Sequence, residues 1–399
     1  WAALRGNAEL VEYLIAKGSD IQTPDSHGSE PIVFAVSGGQ KNVAVYDAFV
    51  KGGIDLKKKY RNGANLLLLG IANDNDLAIA NYLTSKGLSL KDVDSEGATA
   101  FDYAAKSGNV EVLKNLLSKG VKATNAALIF MSQGGRGTAA PIEAYKYLVE
   151  DLKLNPNFAN KSGNVLHSIV RKPNQEEIIN YFLAKGVDVN KADGEGVTPF
   201  MNAAAGKNLA VVELLAPKVK NINAVNERGE SALTAAIATG SPEIAAFLLS
   251  KGANVKIEDQ AGHNLAYFAV QNYRPAGPQG GAKDELTEKL TLLKSKGLNV
   301  EGAQKDGSTL YHIAIAKADL GLLKKLAALK IDINAKNKEG LTVLHRAALI
   351  SKDDEILKYL IASGADKSLK TEFDETAYDL ASENEFLSKK NVSVSFLKN

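Results

Sequence analysis

Asp193-Gly194-Glu195-Gly196-Val197-Thr198-Pro199-Phe200-Met201-Asn202-Ala203-Ala204 is the stretch that decides how this chain is read. A polar run ends in glycine, a Thr-Pro pair opens a helix, and two alanines follow inside it. Threonine is a good helix cap, and proline suits the first helical position, where its missing N–H is no loss. The same order recurs along the chain. Its glycine returns in Asp25-Ser26-His27-Gly28, Arg61-Asn62-Gly63, Asp94-Ser95-Glu96-Gly97 and Lys161-Ser162-Gly163. It continues in Asn226-Glu227-Arg228-Gly229, Asp259-Gln260-Ala261-Gly262, Lys305-Asp306-Gly307 and Asn337-Lys338-Glu339-Gly340. Successive spacings are 35, 34, 66, 33, 33, 33, 45 and 33. The 66 is two periods with one glycine absent, and the 45 is one period plus a twelve-residue insertion. So short a unit cannot bury its own apolar face, so the units must stack.

Each unit reads as two helices. The first carries small residues such as Ala203 and Ala204, which allow close approach of neighbours. The second carries paired leucines, Leu116-Leu117, Leu214-Leu215 and Leu248-Leu249, and glycine ends it. Ser241-Pro242-Glu243 supplies a cap, a first-turn proline and an acid near the positive helix end, and Asn174 with Glu177 has capping-box spacing. The polar stretches between units predict projecting β-hairpin fingers. Thr198-Pro199-Phe200-Met201-Asn202-Ala203-Ala204, Thr342-Val343-Leu344-His345-Arg346-Ala347-Ala348 and Thr309-Leu310-Tyr311-His312-Ile313-Ala314 resemble the Thr-Pro-Leu-His-x-Ala-Ala pattern of ankyrin repeats. Repeat ends such as Lys185-Gly186-Val187-Asp188-Val189-Asn190 and Ser363-Gly364-Ala365-Asp366 resemble the same family, and its 33-residue period agrees.

The expected fold class is therefore all-α with short β-hairpin fingers. It is a single ankyrin-repeat solenoid over residues 1–399, elongated and curved around one continuous core, with about ten full repeats and a partial one at each end. The partial first repeat covers 1–24. The repeat at 124–157 is irregular, lacking its finger glycine and carrying Gln133 to Pro141 between its helices. An insertion occupies 272–285, and 371–399 forms a C-terminal cap. Trp1-Ala2-Ala3-Leu4-Arg5-Gly6-Asn7 aligns with Tyr103-Ala104-Ala105-Lys106-Ser107-Gly108-Asn109, which predicts further chain upstream of Trp1. Val392-Ser393-Val394-Ser395-Phe396 alternates like a short strand.

Composition narrows the function. The 48 basic and 46 acidic residues nearly balance, unlike the strong basic excess of a dedicated nucleic-acid binder. The longest apolar stretch, Leu66 to Ala72, is far short of the roughly 20 residues a spanning helix needs. With no cysteine, thiolate chemistry, disulfides and Cys-ligated zinc are excluded. Among the five histidines, His167, His312 and His345 fall at or near the motif position where the resemblance implies a structural hydrogen bond, while His27 and His263 lie on separate fingers. No catalytic triad assembles. Asp74-Asn75-Asp76 lacks the glycine and distant glutamate of a calcium loop and reads as a helix cap, as does Asp353-Asp354-Glu355. Gly134-Gly135-Arg136-Gly137 and Gly277-Pro278-Gln279-Gly280-Gly281-Ala282-Lys283 lack the Gly-Lys-Ser/Thr of a phosphate loop and read as inter-helix loops. No catalytic, metal-binding or cofactor-binding residue is assigned.

Elimination leaves surface recognition of another protein. The resemblance places binding on finger tips and first-helix faces. The candidate partner-binding residues are His27, Tyr60, Arg61, Glu96, Arg228, Glu230, His263, Lys305, Lys338 and Glu339, with Ser26, Ser29, Asn62 and Glu227 beside them. Tyr273 and Arg274, on the insertion, are a second candidate contact, since Tyr and Arg dominate many interfaces. Lys57-Lys58-Lys59-Tyr60-Arg61 is either a solvated face or a surface for an acidic partner. The expected function is a non-enzymatic scaffold; the alternative is the targeting arm of a larger enzyme or toxin with its catalytic domain upstream. The chain resembles exported bacterial ankyrin-repeat proteins, which implies a periplasmic or outer-membrane-associated location, with a cytoplasmic one as the alternative.

Overall fold

The computed structural model describes residues 1–26, 28–134, 139–275 and 284–398. It divides into two compact units, Trp1–Gly194 and Glu195–Asn399. In the first unit the helices pair as Ala2–Arg5 with Ala8–Ala16, Pro31–Ser37 with Val43–Lys51, Leu66–Gly70 with Ala78–Ser85, and Ala100–Ala104 with Val110–Ser118. Ala126–Gln133 then pairs with Ile142–Lys146, and Leu166–Ile169 with Glu176–Ala184. In the second unit Pro199–Ala204 pairs with Leu209–Leu215, Ala232–Ala238 with Pro242–Ser250, and Leu265–Gln271 with Glu285–Ser295. Leu310–Ile315 with Leu320–Leu326, Val343–Ile350 with Glu355–Ala362, and Ala377–Glu383 with Glu385–Lys389 complete it.

The repeat motif has a concrete hydrogen-bond meaning. The Thr342 hydroxyl accepts the His345 N–H at 3.4 Å, and His345 Nδ1 accepts the Thr342 N–H at 3.1 Å. This is a capping box with an imidazole in place of a carboxylate. The other ring nitrogen, Nε2, donates to Leu369 O of the following repeat at 3.0 Å. One side chain therefore caps its own helix and ties two repeats. His312 does the same with Thr309 and Leu341 O. Burial lowers the pKa of both rings, which favours the neutral tautomer these bonds need. In other repeats the reach-back partner is Asp102, Thr234 or Asp379.

First helices pack on first helices of adjacent repeats through alanine. Ala35, Ala104 and Ala105 in the first unit, and Ala203, Ala204, Ala236, Ala347 and Ala348 in the second, are buried. The approach is so close at Gly240 that an added Cβ would lie 2.2 Å from Ala204 O. Each leucine pair of the second helices splits its duty: Leu116, Leu215 and Leu248 are fully buried, and Leu117, Leu214 and Leu249 are half-buried. Gly252 ends its helix at φ 90°, where a side chain would be strained.

Some expectations change. The fingers are mostly closed by single bridges, Val93 to Thr99, Val225 to Ser231, Glu258 to Asn264 and Lys370 to Thr376, and among the described residues only Ala159–Asn160 with Gly163–Asn164 form a two-stranded sheet. Asn174 is not a cap: it takes φ 55° and Gln175 precedes the helix, so its side chain is one residue too early. Asp74 does cap, though from afar, its carboxylate accepting the N–H groups of Ile79 and Ala80. Residues 392–396 form no strand; Ser395–Leu397 is a 3-10 turn that buries Leu397. Among the described residues no strand pairs with them. In the irregular repeat, Thr124 replaces the finger, donating its N–H and hydroxyl to buried Asp102 of the repeat before it.

Ala203→Asp and Ala347→Asp each place a charge at a site less than 3% exposed, between helices with no room for water. Each is expected to lower stability in chemical denaturation by roughly 3 kcal/mol or more. A loss below about 0.5 kcal/mol, the range of surface changes, would show that the first helices do not stack through these positions.

Candidate functional site

Several fingers share one local device. The side chain three residues before the finger glycine accepts two backbone N–H groups of its own loop. Asp94 Oδ1 accepts from Glu96 and Ala98, Asn226 Oδ1 from Arg228 and Glu230, Asp259 Oδ1 from Ala261 and His263, and Asn337 Oδ1 from Glu339 and Leu341. Thr371 uses its hydroxyl for Phe373 and Glu375. This is the Asx-turn preference of short polar side chains. At the tip the glycine turns through positive φ. At Gly229, with φ 81°, a Cβ would also meet Gln260 N of the next finger at 3.0 Å. Adjacent fingers are joined by backbone bonds: Ser95 N–H to Asn62 O, Glu227 to Glu195, Gln260 to Arg228 and Lys338 to Asp306, at 2.8–3.0 Å.

On this frame the candidate residues fall into groups. His27 lies outside the described residues. Arg61 is exposed in the 3-10 turn Arg61–Gly63, and Tyr60 beside it is half-buried with its hydroxyl unmatched. Burial and then the charge of Glu30 push the Tyr60 pKa up. Lys58 of the basic run pairs with buried Glu30, so that run is partly neutralised. Glu96 pairs with Lys161. Arg228 lies between Glu230 at 3.2 Å and Glu195 at 3.7 Å. Glu339 bonds Asn337 within its own finger, and Lys305 covers Gly262 of the preceding finger.

Two hollows lie on the second unit's surface. One, of about 180 Å³, lies between fingers and first helices and is lined by His263, Tyr267, Gln271, Gln304, Asp306, Ser308, His312, Ile313, Ala316 and Arg346. The His263 ring stacks on Tyr267 at 3.7 Å, nearly parallel, and its Nδ1 bonds Asp259 at 2.9 Å. Burial opposes the Asp306 charge, but the N–H and hydroxyl of Ser308 hold that carboxyl below its usual value. Of these residues only His263 is a partner-binding candidate from the sequence, His312 being read as structural. Arg346 was readable in principle, because it fills the variable place in Thr342-Val343-Leu344-His345-Arg346.

The other hollow is a cleft of about 560 Å³ at the far ends of the helices, lined by Tyr273 and Arg274 together with Lys207, Thr239, Glu285, Lys289 and Lys325. Its charges are largely paired, Lys207 with Glu285 and Lys325 with Asp284, both at 2.6 Å. Lys289 is the unexpected member. Its ammonium is buried and donates to Ile237 O and Gly240 O, each at 2.9 Å. Most of the adjoining insertion, residues 276–283, and the glycine segment 135–138 lie outside the described residues. Among the described residues no group of His, Asp and Glu is placed to hold a metal, and no helix is long and apolar enough to cross a membrane.

Residues 166–259 match a family model described as ankyrin repeats (3 copies), and residues 70–117 and 310–361 match one described as ankyrin repeats (many copies). The chain is an ankyrin-repeat protein. It is 24% identical over 359 residues to transient receptor potential cation channel subfamily A member 1 of Homo sapiens, across 87% of this chain and 31% of that protein. It is 23% identical over 325 residues to the E3 ubiquitin-protein ligase KEG of Arabidopsis thaliana, across 77% of this chain and 20% of that protein. The chain thus spans a third or less of these relatives. Among solved structures it is similar to the human ASB11 ankyrin repeat domain, with 20% identity and a TM-score of 0.46, across 59% of this chain and 97% of that one. Its ankyrin-repeat solenoid is mostly helical with few strands.

Burial brings Lys289 down from the usual 10.5 to about 8, against the charges of Glu285 and Glu243 and assisted by that of Lys207. Between those two values the unfolded chain holds a proton that the folded chain has released, so this group's contribution makes stability rise with pH. Tyrosines whose pKa burial has raised, such as Tyr46 and Tyr103, oppose this only above about pH 10, so the window is about pH 8–10. The unfolding free energy of the wild type, less that of Lys289→Met, is expected to climb across this window by on the order of 1 kcal/mol per pH unit. A flat difference would show that the amine stays protonated in its seat.

Proposed function

We propose that this chain is a non-enzymatic scaffold that holds a partner protein against its fingers and first-helix faces. Ankyrin repeats generally mediate protein–protein interaction, and no catalytic family is indicated for any part of the chain. The observation that carries the finer reading is the contrast between frame and tip. The Asx turns and finger-to-finger bonds repeat with nearly the same geometry, while the residues they present change from Glu96 to Arg228, His263, Lys305 and Lys338. A rigid frame bearing varied charged and aromatic side chains suits recognition of one particular surface, because little ordering entropy remains to be lost on binding. The cleft with Tyr273 and Arg274 ranks second, since its charges are mostly satisfied within the chain.

A second reading makes the stack the targeting arm of a longer protein. It rests on relatives of which the match is 31% and 20%. Export to the periplasm or outer membrane is part of the proposal and is checked by fractionating the native source.

The test is a pull-down from that source with three variants: Arg228→Ala combined with His263→Ala, deletion of 134–140, and deletion of 275–282. Loss of the captured protein in the first alone is the expected outcome. Loss in the deletions alone moves the interface to the insertion loops, and retention in all three leaves neither surface as the binding site. The chain alone is expected to turn over no hydrolase or phosphotransfer substrate. Activity abolished by one His or Asp substitution would reverse the non-enzymatic reading.

A further inference from the structure

The repeat supplies its own control for finding a functional position. Asp94, Asn226, Asp259 and Asn337, each three residues before a finger glycine, close their own loops through Oδ1. Gln304 occupies that place before Gly307 and does not. Its chain is one methylene longer, and its Oε1 accepts the Asn264 N–H of the preceding repeat at 2.9 Å. The turn work passes to Asp306, whose Oδ1 accepts the Ser308 N–H at 2.9 Å. As a result Gln304 Nε2 is buried with no acceptor, in a residue only 6% exposed. The amide cannot flip to help itself, because that would set its NH2 against the Asn264 N–H. Leaving a buried donor unmatched costs about 1–3 kcal/mol, and the neighbouring fingers show how easily this sequence avoids it.

Gln304 lines the 180 Å³ hollow of the groove, and the rest of that hollow is unbalanced in the same sense. Three of the residues that bring acceptors to it already have them engaged. Asp306 takes two bonds from Ser308, Gln304 Oε1 takes Asn264, and both ring nitrogens of His312 are used within the fold. Its donors are in excess: the two hydrogens of Gln304 Nε2 and the guanidinium of Arg346, which has no ion pair among the described residues. His263 is held flat against Tyr267 with Nδ1 on Asp259, which leaves Nε2 free of both contacts. Small-molecule sites are usually about 300–1,000 Å³, so this hollow suits one side chain of a larger partner.

We propose that this hollow receives a carboxylate side chain, Asp or Glu, of the partner protein, held by Arg346 and Gln304 Nε2 and flanked by the His263 ring. Arg346 is the charged donor that a carboxylate matches in both geometry and sign. The carboxylate of Asp306 in the same wall has both oxygens engaged by the N–H and hydroxyl of Ser308. The proposal rests on the groove reading above and adds the chemistry of one contact.

The experiment selects binders to the full chain from a phage-displayed library of random peptides and measures the winners by titration. Peptides carrying an acidic residue at one fixed place are expected. Changing that residue to its amide should weaken binding to the wild type by about 10–100-fold, the range of a charge-assisted hydrogen bond, and leave binding to Arg346→Gln unchanged. Gln304→Asn, which restores the rule of the other fingers, should raise the denaturation midpoint of the free chain and weaken the same peptides. Groove-dependent peptides, lost with Arg228→Ala plus His263→Ala, that show no acidic preference or ignore Arg346→Gln would overturn the carboxylate pocket alone. Peptides indifferent to every groove variant would overturn the groove reading with it.

Discussion

Every helix ends in carbonyls that its own turns cannot satisfy, and in a stack of short helices these ends are many. The structure depends on several repeats meeting that need for the repeat before them. Gln40 reaches Leu4 O, Asn73 reaches Ser37 O, Thr239 reaches Ala205 O, and Asn384 reaches both Ala348 O and Ser351 O. These bonds form only if first helices lie close enough, and that is what the buried alanines and Gly240 permit. Where the insertion displaces the usual turn, Lys289 of the second helix takes over and holds Ile237 O and Gly240 O. A lysine is a costly substitute, and burial draws down its pKa accordingly.

The fingers solve the same problem by a local route. A short oxygen-bearing side chain gathers the loop's N–H groups, and one backbone bond passes to the next finger. Tyr60 and Gln304 stand where that oxygen should be, and both leave a buried polar atom unmatched. Real proteins depart from their own local rules mainly at functional or strained positions. At Gln304 the departure opens onto a hollow with surplus donors. At Tyr60 it lies against Glu30 and Lys58.

Much of this was legible in the amino acids. The glycine spacing gave the period, Thr198 and Thr342 marked the helix starts, and the paired leucines marked the second helices. Ser241 caps as its place in Ser-Pro-Glu requires. Where reading failed, the information was not local. Asn174 has capping-box spacing, but the chain turns one residue later and leaves it in the left-handed region. The alternation at 392–396 is a strand pattern without a neighbouring strand, and without one a strand cannot close its hydrogen bonds. The fingers read as hairpins because their turn residues are hairpin residues, yet most have length for only one bridge.

The sequence by itself determined the repeat, its period, its capping chemistry and the alanine face on which repeats meet. All of these depend on residues within one period, or on the same place in successive periods. Only the tertiary structure decided which side chains from different repeats share a surface. Gln304, Arg346 and His263 come from three repeats and converge only because stacking sets finger beside finger and helix beside helix. It also decided which polar atoms lack a partner. Gln304 has a suitable acceptor for its oxygen and none for its nitrogen, a fact that exists only once Asn264 of another repeat is in place.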